Sequence, residues 1–295
     1  MVQSLHEGLS NPHEHGFQAG KASSHVSYSR GLVLASLTMV VVLGLTGSVA
    51  AHDLWLIPPN AADVGKPVQV LAHSGMEFPV SEQAPRVAAF KRRFLVAPDG
   101  RTEEVQAAGA EGVSGLLEFT PRTSGVHIIA VETHPRLLTL SAAAFNLYLV
   151  SDGLPHIYQL RSREKTLDHE GKERYSKSPK ALLKLGEGGD PTRVLGLPLE
   201  IVPLADPFKL KIGDTLRVRV LFQGKPLGHA NLGWDLPGDG EAPSGSVRTN
   251  AQGEALIPIA QTGLMTIRLT HMTRPRNSEY EWESFWTTLT WRIPD

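Results

Sequence analysis

Leu216-Arg217-Val218-Arg219-Val220 alternates apolar and charged residues without a break. Successive side chains of a strand point to opposite faces, so Leu216, Val218 and Val220 face one way and both arginines the other. A half-buried strand gives that pattern, and a helix does not. The neighbouring sequence repeats the signal. Leu199 to Val202 reads as a strand stopped by Pro203, and Gly224-Lys225-Pro226-Leu227 and Asn250-Ala251-Gln252-Gly253 read as turns. Phe285, Thr287, Leu289, Trp291 and Ile293 share one face of a closing strand, with Trp282 and Trp286 on the other. Residues 196–295 are therefore expected to form a β-sandwich of immunoglobulin-like type.

Upstream, short apolar runs broken by Gly, Pro, Asn and Asp suggest a second sandwich over residues 52–140. Its strands are expected at Leu54 to Ile57, Val68 to His73, within Arg86 to Ala97, Leu116 to Phe119 and Val126 to Thr133. Pro98-Asp99-Gly100 supplies a turn, and Thr120 to His127 reads as the entry to a late strand of an immunoglobulin-like sandwich. Residues 141–195 differ. Ala142 to Leu149 has helical composition, with Phe145 and Leu149 four apart, and Ile157 to Leu167 is also expected to be helical. Ala181 to Leu185 reads as a strand, and Gly186 to Pro191 is too irregular for a phosphate-cradling glycine loop. The expected fold is mainly β: two immunoglobulin-like β-sandwich domains joined by a partly helical connector.

The chain opens differently again. Gly31 to Gly47 is an uncharged apolar run behind Arg30, and small residues at 48–51 make an A-x-A-like cleavage site. Residues 1–51 read as a signal peptide, with an uncleaved anchor as the alternative; 17–20 apolar residues are short for a span. Cleavage after Ala51 makes His52 the first residue, whose amine and imidazole form a ready chelate. Cleavage after Ala50 leaves Ala51-His52, in which amine, deprotonated amide and imidazole could share a square-planar ion. The protein is then periplasmic or otherwise extracytoplasmic, and His6, His13, His15 and His25 are removed with the leader.

Of 295 residues, 29 are Lys or Arg and 30 are Asp or Glu, for a formal charge of −1. That balance argues against a nucleic-acid partner, which needs a basic surface. No cysteine occurs, so an exported chain must rely on its core and not on disulfides. Without thiolates, any metal site must draw on His, carboxylate or backbone nitrogen, a set suited to nickel, copper(II) or zinc.

Eight histidines follow the leader. His271 is in phase with Met265, Ile267 and Leu269, which places it at the rim of a core, both fixed and reachable. His73 is in phase with Leu71 at a strand end. His127 and His134 fall on opposite faces of one strand and cannot share an ion while that strand stays regular. His156, His169 and His229 fall in polar connections. No H-E-x-x-H, G-x-S-x-G or EF-hand loop occurs, and no catalytic residue is assigned. The five tryptophans are better placed for packing than for stacking on a sugar.

Five stretches together resemble a known family: Ala51 to Leu56, Gly196 to Pro207, Gly224 to Leu227, Thr270-His271-Met272 and Trp282 to Trp286. It is a bacterial exported family of unknown function, labelled the periplasmic component of nickel/cobalt uptake, and the resemblance spans residues 51–295. It implies a divalent transition metal as ligand (nickel or cobalt, with copper as the alternative). His52 and His271 match the family's histidines, and His73 and His127 are added from strand phase and position. The implied partner is a separate membrane permease, because no further apolar span follows. Metal capture would require neutral imidazoles and should weaken as pH falls through about 8 to 6. Two other readings stand beside it. One is a copper protein or oxidative enzyme with an N-terminal histidine brace; the other is a metal-free interaction module.

Overall fold

The computed structural model describes residues 52–237, 243–275 and 279–294. The expected leader, its expected cleavage site and the four histidines before it lie outside the described residues. In chain order the first strands are β1 (Asp53–Ile57), β2 (Val68–Gly75), β3 (Phe90–Val96), β4 (Thr102–Glu104), β5 (Gln106–Glu111) and β6 (Ser114–Phe119). Next come β7 (Gly125–Thr133), β8 (Arg136–Leu140), helices α1 (Ala142–Ser151) and α2 (Pro155–Glu164), β9 (Gly171–Lys177) and β10 (Lys180–Leu185). The remainder is β11 (Leu199–Pro203), β12 (Thr215–Phe222), β13 (Lys225–Pro226) and β14 (Asn231–Asp235). The chain closes with β15 (Ser244–Arg248), β16 (Glu254–Pro258), β17 (Gly263–Thr273) and β18 (Trp282–Ile293).

The protein is mainly β, and three sheets form three layers. The central sheet runs β15-β14-β17-β18-β10-β7-β3-β4, with β9 on β18 and β8 on β9. One outer layer is β1-β2-β6-β5; the other is β11-β12-β13, with β16 also on β12. The two sandwiches thus share their middle sheet. Strand β7 explains how: every one of its nine residues is buried. Val126, Ile128 and Ala130 enter the core under β11, β12 and β16, while Ile129 and Val131 enter the core under β1, β2 and β6. β10 divides in the same way, with Leu182 on one side and Ala181, Leu183 and Leu185 on the other. A strand covered on both faces needs a continuous apolar run, and these two have one.

The stretch from Leu216 behaves as its alternation requires, with Leu216, Val218 and Val220 fully buried in the first of those cores. Its hairpin turns at Gln223 and Gly224, both at positive φ (50° and 75°), so Phe222 pairs with Lys225. That is the primed turn geometry of a two-residue hairpin. β17 and β18 pair antiparallel from Gly263↔Ile293 to Thr273↔Glu283. Leu289, Trp291 and Ile293 enter the same core as Leu216. Trp282 and Trp286 face the opposite way, into a cluster with Phe145, Tyr148, Leu149, Leu154 and Ile157 of the helical segment.

Both expected helices are present. The Ser141 hydroxyl caps α1 by accepting from Ala144 N–H at 3.4 Å, and Pro155 opens α2 where its missing N–H costs nothing. α1 turns Phe145, Tyr148 and Leu149 inward, and Arg161 of α2 lies over the Phe145 ring at 4.8 Å. No helix among the described residues is long and apolar enough to cross a membrane.

Gly171, at the start of β9, is held by this packing: a Cβ there would lie 2.1 Å from Phe145 Cγ. Phe145 is fully buried and cannot swing away. Gly171→Ala is expected to destabilise the fold by about 1–3 kcal/mol, the usual cost of overpacking. A thermal melt unchanged from the parent would show that the ring has room to move.

Candidate functional site

The geometry at the start of the described chain is built from distant elements. β1 pairs with β2 so that Asp53 faces Gly75, which sets His52 beside the loop that follows β2. That loop folds back, with Glu82 N–H donating to Ser74 O at 2.8 Å. Its carboxylate then accepts from Met76 N–H at 2.9 Å through Oε1 and meets His52 Nε2 at 2.7 Å through Oε2. The Met76 N–H, and after it His52, hold the Glu82 carboxyl below its ordinary range. On the other side, Lys177 Nζ donates to the His52 carbonyl. Two side chains of β18 continue the attachment: Thr288 Oγ1 donates to Leu54 O at 2.8 Å, and Arg292 Nε to Pro58 O at 3.0 Å. The first strand is thus fastened to the central sheet along its length.

Beneath His52 lies a buried polar cluster. Lys177 Nζ sits 5.0 Å from the Trp286 ring and 5.5 Å from Tyr175, and burial lowers its pKa to about 8 against the pull of Asp53, Asp152 and Glu173. Burial pushes Asp53 up, opposed mainly by Arg268, whose Nη1 is 3.8 Å from its carboxylate. Asp152, at the end of α1, is raised to about 7 by burial and by the Asp53 charge. Glu173 also reaches about 7 through burial, although Ser284 and the Tyr148 hydroxyl (3.1 Å from Oε2) oppose the shift. Carboxylates displaced this far mark a region where charge is expensive to hold.

The four histidines singled out from sequence do not converge. His73 has both ring nitrogens engaged, Nδ1 at 2.8 Å from Pro79 O and Nε2 at 2.9 Å from Ser114 Oγ. His127 is fully buried: Nδ1 is 3.1 Å from Gly125 O, its ring lies against Phe119, and burial depresses its pKa. His271 keeps the phase expected of it, but packs edge-on to Phe222 with centroids 4.5 Å apart. Burial, with a small push from His156, takes its pKa to about 4. It also points to the wrong side for His52. Asp53 reaches Arg268, three residues from His271 on β17 and therefore on the opposite face of the sheet. Among the described residues, no three His or carboxylate side chains are grouped to hold a metal ion.

The residues that do meet His52 were not legible. Glu82 lies 30 positions away and Lys177 lies 125 positions away, each in an unremarkable polar stretch. No spacing rule connects them. The nearest signal was Lys177 closing an otherwise polar run just before Pro179.

These features define a three-layer β protein whose first strand presents a histidine held at both its ring and its carbonyl. The chain belongs to the DUF4198 family: the model described as "Domain of unknown function (DUF4198)" matches residues 49–273. No curated protein matches the chain. Among solved structures, a tetra-tandem repeat from the extending region of a large adhesion protein is 13% identical with a TM-score of 0.25. That match covers 81% of this chain and 49% of the other, so the chain spans about half its length. The D00–D0 domain of intimin is 10% identical, TM-score 0.18, with 82% and 100% covered. A DUF4785 protein from Legionella pneumophila is 9% identical, TM-score 0.19, with 70% and 48% covered.

Proposed function

We propose that this is an extracytoplasmic protein that captures a divalent transition metal, nickel or cobalt, and assists its uptake through a separate membrane permease. His52 is the first residue of the mature chain in this reading, and it is the principal ligand. The observation that supports it most is the 2.7 Å contact between His52 Nε2 and Glu82 Oε2. A carboxylate only accepts, so Nε2 is the donor in this contact, and Nδ1 is the ring nitrogen that a metal would take. Nδ1 and the terminal amine of the same residue then close a six-membered chelate ring on the ion. Glu82 plays the part of the carboxylate that orients a ligating imidazole and raises its basicity. Lys177 holds the backbone of the same residue. His271 lies outside this chelate because it faces the other side of the sheet, His73 because both its ring nitrogens are engaged, and His127 because its ring is fully buried in the core.

The ligand set also suits copper, which outranks nickel and cobalt at nitrogen donors. Purification of the exported protein, intact mass and metal titration separate these cases. A mature mass beginning at His52, one ion per chain, and loss of that ion in His52→Ala are expected. Glu82→Gln should weaken binding by about 10- to 100-fold. A mature chain that starts well away from His52, or an ion kept by His52→Ala, would rule the chelate out.

A further inference from the structure

Strands β2 and β6 pair in register from Val68↔Phe119 to Ala72↔Gly115, so the next step along the ladder sets His73 opposite Ser114. Residues opposed across a ladder share one face of the sheet. Here it is the outer face of an outer layer, because Val70 and Ala72 point the other way, into the core shared with the central sheet. Trp55, paired with His73 on β1, packs edge-on to Phe78 there, with centroids 5.5 Å apart. Ser114 opens β6 directly after the turn Gly112-Val113, whose glycine has φ 55°. Ser81 ties that turn to the loop after β2. Its Oγ donates to Val113 O at 2.7 Å and accepts from Ser74 N–H at 3.1 Å.

Three groups line up at this point. Ser114 Oγ lies 2.9 Å from His73 Nε2, and His73 Nδ1 lies 2.8 Å from Pro79 O. A carbonyl only accepts, so Nδ1 donates to Pro79. In the neutral ring Nε2 is then an acceptor, and the Ser114 hydroxyl donates to it. A nucleophile within reach of a base, with that base oriented by a third group, is the arrangement that activates serine for acyl transfer. The Pro79 carbonyl stands where a carboxylate serves in Ser-His-Asp enzymes. It orients the ring but lacks the negative charge that steadies an imidazolium, so a modest rate is expected. Both side chains are half-buried, and the hydroxyl is not sealed in the core. Among the described residues, neither Gly112 nor Val113 donates its N–H in a backbone hydrogen bond, and these are the donors beside Ser114 for a developing oxyanion.

We infer that Ser114 and His73 form a site for cleaving small uncharged esters, with Ser114 as nucleophile, His73 as general base and Pro79 O orienting the ring. The site shares no side chain with the chelate at His52. Ser114 Oγ bonds to the ester carbonyl carbon while its proton passes to His73 Nε2. That proton leaves with the alkoxide as the carbon–oxygen bond breaks. Water then repeats the sequence on the acyl-serine and releases the carboxylic acid. Val80 follows Pro79 and Val113 precedes Ser114, and both are exposed, which favours an ester with an apolar acyl chain. Glu111, paired with Ser114 across the turn, disfavours an anionic one.

The test is treatment of the exported, mature protein with an alkyl fluorophosphonate, followed by peptide mass mapping, beside a rate assay on p-nitrophenyl butyrate. Chelator is present throughout, which keeps the outcome separate from the metal reading. The serine oxygen displaces fluoride at phosphorus and its proton passes to His73, so one adduct per chain, on Ser114, is expected. Labelling of the parent needs no variant to fold. Hydrolysis should fall by at least about a hundredfold in Ser114→Ala and in His73→Gln, with thermal melts preserved. No adduct on the parent, an adduct elsewhere with Ser114 unmodified, or equal hydrolysis by Ser114→Ala would each overturn the assignment.

Discussion

Lys180→Met is expected to lower the unfolding free energy by about 3–5 kcal/mol, the cost of leaving one member of a buried ion pair without its partner. Lys180 Nζ and Glu200 Oε1 are 2.8 Å apart, and each side chain is only 1% exposed. Glu200 does more than neutralise the lysine. It also accepts from the backbone N–H groups of Leu195, Gly196 and Leu197, and so shapes the turn into β11. Removing the ammonium leaves a carboxylate inside the protein with hydrogen bonds and no opposite charge. It also cuts a direct tie between β10 in the central sheet and β11 in an outer one. Urea denaturation followed by tryptophan fluorescence reads the loss. A change below about 1 kcal/mol would mean that the three N–H groups alone satisfy Glu200, and the ion pair would then be incidental to stability.

Glu173→Gln has the next largest expected effect, and it appears as a change in pH dependence. Glu173 is 1% exposed, and burial raises its pKa from 4.5 to about 7. A raised carboxyl contributes stability fully below the unfolded pKa and loses it as pH climbs to the folded one. Its contribution therefore falls by about 3 kcal/mol between pH 4.5 and 7, at roughly 1.4 kcal/mol per unit. Glutamine does not titrate, so the variant should gain on the parent across that window and hold the gain above it. Asp152 shifts in the same direction and remains in both proteins, so each will still lose some stability as pH rises. Lys177, lowered to about 8, acts in a separate window between there and 10.5. Parallel denaturation series at pH 5 and pH 8 make the comparison. Equal pH slopes in the two proteins would place Glu173 in a wetter setting than its burial indicates.

Much of the architecture follows from local pattern. The alternation at Leu216 to Val220, the facing residues of β18 and the helices at Ala142 and Pro155 all reflect one side-chain period, readable within a few residues. The hairpin after β12 is local in the same sense, although its turn falls at Gln223-Gly224, ahead of the 224–227 stretch that reads as a turn, and Lys225–Pro226 already belongs to β13. Likewise, the phase of His271 along β17 survived folding, since register alone settles which way a strand residue points.

Partnership is a different matter. The run Ile128-Ile129-Ala130-Val131 shows that β7 is buried, yet nothing in it says that a separate sheet covers each face. That depends on where β1 and β12 come to rest. The histidines make the same point chemically. His73 and His127 look alike as donors in a sequence, but only once the strands have met do Ser114 and Pro79 occupy both nitrogens of His73 and does the core enclose His127, with Nδ1 on Gly125 O. His52 is distinguished by Glu82 and Lys177, brought to it from 30 and 125 residues away. Side-chain period is a property of neighbouring residues along the chain. Which group closes on which nitrogen is set by how whole layers stack, and that choice is made in three dimensions.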